Sequence, residues 1–140
     1  MKYLVDTNVF SELCKPSPNE NCLAWVEANK GDCWLSAVTL SELRFWAEKQ
    51  PAGKRRTELW RALDFLAQDY GARFADFDAA AAFEWGRYAA ELLQAFGEDW
   101  WKQFDHRDTQ IAAMAREYGF TVATRNEKHF PGVPTVNPFD

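Results

Sequence analysis

At 140 residues, 47% of them hydrophobic and 16% aromatic, the chain has the length of a single domain (1–140) and enough apolar material for a core, which excludes a disordered tract. The net charge of −5 lacks the cationic excess of most nucleic-acid binders and suits a protein that gathers carboxylates around a cation. Three cysteines without a CxxC spacing and only two histidines exclude a zinc cage or a disulfide framework and point to the reducing cytoplasm. The chain opens on a short apolar run, Lys2 to Val5, which Asp6 interrupts well before the length of a signal or a membrane span. This run reads as a buried strand that turns through Asp6-Thr7-Asn8 into a helix from about Val9 to Cys14, stopped by Pro16 and Pro18. Asn21 to Asn29 has helical spacing and closes at Gly31. Cys33 to Ala37 reads as a second strand, and Thr39 starts a helix that ends before Pro51.

A further helix from about Thr57 to Gln68 aligns Leu59, Leu63 and Leu66 on one face. Arg73 to Phe77 is a third strand, and Asp78 caps an alanine-rich helix reaching Phe96. Gly97 to Phe104 reads as a loop carrying Trp100-Trp101. Asp105 starts a helix that Gly119 ends. Phe120 to Thr124 and Val133 to Val136 are the last strands. Helices alternating with continuous apolar strands specify an α/β domain, a three-layer α/β/α sandwich around a mostly parallel sheet. Ligands of such sheets bind at the carboxyl ends of the strands.

Four polar positions fall on that edge: Asp6 after the first strand, Glu42 in the first turn of the helix after the second, Asp108 in the first turn of the helix from Asp105, and Asn126 after FTVAT. Each has a plain structural explanation. Asp6 can cap a helix, Thr39-x-x-Glu42 is a capping box, and Asp105-x-x-Asp108 places acids at a positive helix end. Their convergence carries more weight, because gathered carboxylates repel one another unless a cation neutralises them. All-oxygen ligands suit Mg²⁺, with Mn²⁺ as a substitute. With no nucleophilic Ser or Cys in view, hydrolysis by metal-activated water follows, and phosphodiesters are its natural substrate.

The segments LVDTNVFSEL (4–13), LSAVTLSELRF (35–45), DTQIAAMAREYGFTVATRN (108–126) and FPGVPTVNPF (130–139) resemble, in order and spacing, the PIN-domain ribonucleases. The likeness is to the VapC-type toxins of toxin–antitoxin pairs, within their FitB-like branch. The resemblance implies a Mg²⁺-dependent endoribonuclease acting on structured RNA such as tRNA or rRNA, held by a cognate antitoxin and assembled as a homodimer. It implies that Asp6 and Asp108 ligate the metal and that Glu42 ligates it or orients its water. Thr7 and Asn8 would shape the first loop, and Ser36 or Thr39 would position water. The departure is Asn126, where many PIN domains carry a fourth acid. A neutral carbonyl there favours one firmly held ion over two, and Glu127 is a poor substitute because its neighbour on an extended chain points the other way.

Arg44, Arg107, Arg125 and Lys128 are candidates for contacts to flanking phosphates, whereas Lys54-Arg55-Arg56 reads as ordinary solvated charge. Trp100 and Trp101 fit a dimer or antitoxin contact first, core second and base stacking third. Two other readings compete. One is a catalytically weak or inactive PIN fold that only binds RNA or protein. The other is a phosphotransfer domain, which the single acid of Asp6-Thr7-Asn8 disfavours.

Overall fold

Alternation along three-residue strands decides the two sides of this molecule. In the computed structural model, which describes residues 1–140, the strands are β1 (Tyr3–Val5), β2 (Cys33–Ser36), β3 (Phe74–Ala75), β4 (Thr121–Ala123) and β5 (Thr135–Val136). They form one parallel sheet in the order β3-β2-β1-β4-β5. Leu4 and Val122 pair in register and enter the core on one face, while Val5 and Ala123 pair and enter the core on the other.

Seven helices cover the two faces: α1 (Thr7–Leu13), α2 (Glu20–Asn29), α3 (Ala37–Glu48), α4 (Lys54–Asp69), α5 (Ala79–Phe96), α6 (Trp100–Gln103) and α7 (His106–Tyr118). The first face is buried by Ala81, Tyr88 and Leu92 of α5 and by Ile111, Ala112, Met114 and Ala115 of α7. The second is buried by Val9 and Phe10 of α1, Cys22 and Val26 of α2, and Leu43 of α3, with Leu63 and Leu66 of α4 leaning against them. The result is the expected α/β/α sandwich. α4 is its loosest part: no residue in it is fully buried, and Phe65 faces solvent.

From β1 the chain builds outward through β2 and β3, then returns to lay β4 on the opposite side of β1. The strand order therefore reverses between β1 and β4, and the crevice at their carboxyl ends is the natural binding place of such a sheet. Asp6 and Thr124 follow the paired residues Val5 and Ala123 into that crevice.

Local capping corrects three sequence expectations. Ser36, not Thr39, caps α3: its Oγ accepts the Thr39 amide at 2.9 Å, so Thr39-x-x-Glu42 is no capping box and Glu42 lies in the second turn. α2 ends at Asn29, and Gly31 lies within a 3₁₀ turn, Lys30–Asp32, rather than at a helix end. The segment 97–104 is not wholly loop, because α6 occupies its second half. Trp100 packs against the α5–α7 core there while Trp101 is exposed, so the pair is split between two environments. The end of α7 is as expected, with Gly119 at φ 73° in the left-handed region. No helix is long and apolar enough to cross a membrane.

Ile111 is fully buried between α7 and the sheet. Ile111→Ala should lower the unfolding free energy by about 2–5 kcal/mol, measured as a shifted urea midpoint at unchanged slope.

Candidate active site

Asp6 caps α1 and is held on both oxygens. Oδ1 accepts the Thr7 amide at 2.8 Å, and Oδ2 accepts the Thr124 hydroxyl at 2.9 Å and the Asn8 amide at 3.2 Å. The side-chain oxygen of Asn8 in turn accepts the Arg125 amide at 3.2 Å, tying the first loop to the segment after β4. Thr7 donates its hydroxyl to Glu42 Oε1 at 2.7 Å, and Thr39 Oγ1 stands 3.5 Å from the same hydroxyl. Asp108, in the first turn of α7, lies 3.3 Å from His129 Nδ1.

Asp6, Glu42 and Asp108 line one open cavity of about 450 Å³, together with Asn8, Asp105 and Asn126. Lys15, Arg125 and the imidazole of His129 line the same cavity, the Lys15 ammonium paired with Glu12 at 2.9 Å. Arg107 bridges Asp105 at 3.2 Å and Glu42 at 3.8 Å. The electrostatic signature is that of crowded acids. Burial, and then the charges of Asp6, Asp105 and Glu42, push the Asp108 carboxyl up to about 7. Burial also raises Asp6, against the Thr124 and Thr7 hydrogen bonds that favour its ionised form.

Other residues singled out in the sequence are placed differently. Ser36 and Thr39 are fully buried beneath the site, where they cap α3 and support Thr7, and neither lines the cavity. Arg44 faces away from it. A residue two positions beyond Glu42 lies on the opposite side of a helix, where Arg44 pairs with Glu48 at 2.8 Å and lies over the Trp60 ring. Lys128 is exposed outside the cavity. Glu127 is engaged by the Thr135 hydroxyl at 2.7 Å and also lies outside.

Thr124 was not among the sequence candidates. It is fully buried, donates to Asp6, and accepts both the Asn8 side chain at 3.2 Å and the Asn126 amide at 3.1 Å. In TVATRN a threonine reads as an ordinary strand residue. Its place opposite Asp6 becomes visible only through the β1–β4 register.

The donors fit a hard divalent cation. They are oxygens, their mutual repulsion needs neutralising, and the acids stand open to solvent on one side. No three acidic, His or Cys side chains stand together as a group that would hold an ion by themselves.

A model of the PIN domain matches residues 3–134. The chain belongs to the PIN domain family. It is 38% identical to VapC ribonuclease Y4jK of Sinorhizobium fredii, covering 98% of this chain and 97% of the relative. It is 31% identical to toxin FitB of Neisseria gonorrhoeae, covering 97% of each. Among solved structures, FitAB bound to a DNA fragment superimposes with a TM-score of 0.87 at 30% identity, over 99% of this chain and 96% of that one. FitAcB from Neisseria gonorrhoeae gives 0.84 at 30% identity over 98% of both. The PIN architecture and the order of its motifs therefore stand as the sequence indicated.

Folded Asp108 keeps its proton to about pH 7, against 3.8 ordinarily, so the cation-free folded state binds more protons than the unfolded chain between those values. Its stability should fall as pH rises from about 4 to 7 and level off above. Asp108→Asn should accordingly stabilise the cation-free protein by about 2 kcal/mol at pH 8 and by little at pH 4, read from thermal melts. Millimolar Mg²⁺ should raise the melting temperature of the wild type and not of this variant. Thr124→Val keeps the shape and removes the hydroxyl from Asp6, so divalent-ion affinity, measured calorimetrically, should drop about 10–100-fold with the fold intact.

Proposed function

We propose that this PIN domain is a metal-dependent endoribonuclease, the toxin of a toxin–antitoxin pair. The observation that carries this reading is the convergence of Asp6, Glu42 and Asp108 on one cavity that Lys15, Arg125 and His129 also line, with Arg107 3.8 Å from Glu42. The names of the relatives support it: a VapC ribonuclease, a toxin, and tRNA(fMet)-specific endonucleases of Shigella flexneri and Salmonella typhimurium. Neighbouring structures titled as FitAB and VapBC complexes support an antitoxin partner for this chain too.

Mg²⁺, with Mn²⁺ as a substitute, would lower the pKa of attacking water and offset charge on the phosphate. Asp6 and Asp108 would hold the ion, and Glu42 would hold it or orient water. Asn126 brings a neutral oxygen where a fourth acid would add charge, which favours one firmly bound ion.

The residues around the acids have roles that need no ion. Thr124 and Asn8 fix the orientation of Asp6, and Thr7 fixes that of Glu42. Arg125, exposed on the cavity wall, and Lys15, if drawn from its pairing with Glu12, would meet the phosphates on either side of the cut, which answers the objection from net charge.

Asp6→Asn should abolish cleavage of a structured RNA such as tRNA while leaving the melting curve cooperative. EDTA should stop the wild type, and Mg²⁺ or Mn²⁺ should restore it. Wild type that cuts no RNA under these conditions, with EDTA changing nothing, would make this a binding module instead.

A further inference from the structure

The catalytic cavity has only one apolar side chain in its wall, Trp46. The indole is 52% exposed, a costly position for the largest apolar side chain on a helix that otherwise buries Val38, Leu43 and Ala47. α3 carries Glu42, Phe45, Trp46 and Lys49 at the i, i+3, i+4, i+7 spacing of one helix face, with Phe45 55% exposed beside Trp46. Lys49 Nζ lies 4.5 Å from the Trp46 ring and 5.4 Å from Phe45. An acid of the reaction centre, two exposed aromatic rings and the ammonium group that lies over them thus follow one another along a single stripe.

Behind Trp46 lies a second hollow, of about 170 Å³, between α1, α3 and α4. Leu59 and Leu63 are among its apolar walls, and Ser11 and Gln50 are its two polar groups. Ser11 and Trp46 line both cavities, so the two share one partition.

We infer that the hollow is a nucleobase subsite: an unpaired base next to the scissile phosphate stacks on Trp46 and enters it, with Ser11 and Gln50 facing the polar edge of the base. This rests on the ribonuclease reading above and names what would select the cleavage site. Stacking on an indole tolerates any base, and two polar groups in an apolar recess supply the preference. Ser11 and Trp46 border both cavities, so the hollow adjoins the acids directly. An apolar side chain of a protein partner is the competing occupant. The continuity of the hollow with the acid cavity, and the cation on the aromatic stripe, favour a nucleotide.

The test uses an RNA oligonucleotide that the wild type cuts with Mg²⁺, and the same oligonucleotide with an abasic ribose at each position flanking the cut. Trp46→Ala should lower kcat/KM about tenfold, chiefly through KM, and Trp46→Phe should recover most of it. One abasic position should cost the wild type a similar factor and cost Trp46→Ala nothing. Ala62→Phe, from the exposed side of α4, should plug the hollow and mimic Trp46→Ala with an unchanged melting temperature. Unchanged kcat/KM in Trp46→Ala, or abasic and Trp46 losses that simply multiply, would overturn the subsite. Normal cutting with weakened antitoxin binding would give the hollow to a protein instead. If the wild type cuts nothing, the ribonuclease reading fails by itself. Equilibrium binding of the same RNA then decides the subsite, a tenfold weaker Kd for Trp46→Ala supporting it and an equal Kd overturning it.

Discussion

The site turns on the hydrogen bond between the Thr124 hydroxyl and Asp6, made across the two central strands. It exists because Val5 and Ala123 are register partners, so the next residues of β1 and β4 emerge side by side where the strand order reverses. A buried carboxylate there is unfavourable by itself, and neighbouring acids make it more so. The polar groups around it, from Thr124, Thr7 and Asn8, keep Asp6 aimed into the crevice while leaving its charge unneutralised. Asp6 is thus oriented by neutral hydrogen-bond donors, while the cationic side chains of the cavity stand elsewhere on its wall.

The two helical layers contribute unequally to this arrangement. α7 lies close against the sheet through Ala112, Ala113 and Ala115, all essentially buried, and delivers Asp108 from a rigid base. α3 delivers Glu42 from its second turn, pinned from below by Ser36 and Thr39. α4 buries no residue fully and borders the apolar hollow behind Trp46. Rigid elements hold the chemistry, and the loosest element flanks the recess where recognition would take place.

Much of this was legible in the residues. Continuous apolar runs separated by capped helices specify the sheet, and its carboxyl edge gathers Asp6, Glu42 and Asp108 by topology alone. The misreadings share a physical origin. Glu42 was placed one turn early because Thr39-x-x-Glu42 imitates a capping box while Ser36 makes the cap. Arg44 was placed near the site by its sequence distance from Glu42, although two residues along a helix carry a side chain to the far side. Thr124 was overlooked because its partner is 118 positions away, and strand register is not written in local pattern. Nothing in the helical pattern of 39–50 singles out Trp46, and only its exposure against the acid cavity distinguishes it.

The tie between Asp6 and Thr124 also bears on how such a chain is made. β1 leaves the ribosome first, but β4 is the strand that completes the crevice, and Asn126 follows it. A nascent chain that holds only β1 to β3 and α1 to α4 lacks one wall of the pocket. Until the segment around Thr124 clears the exit tunnel, Asp6 has no hydroxyl to orient it and Asp108 has no docked helix to carry it. Synthesis therefore passes through its long early phase without an assembled site, although the RNA of the translation machinery surrounds it throughout.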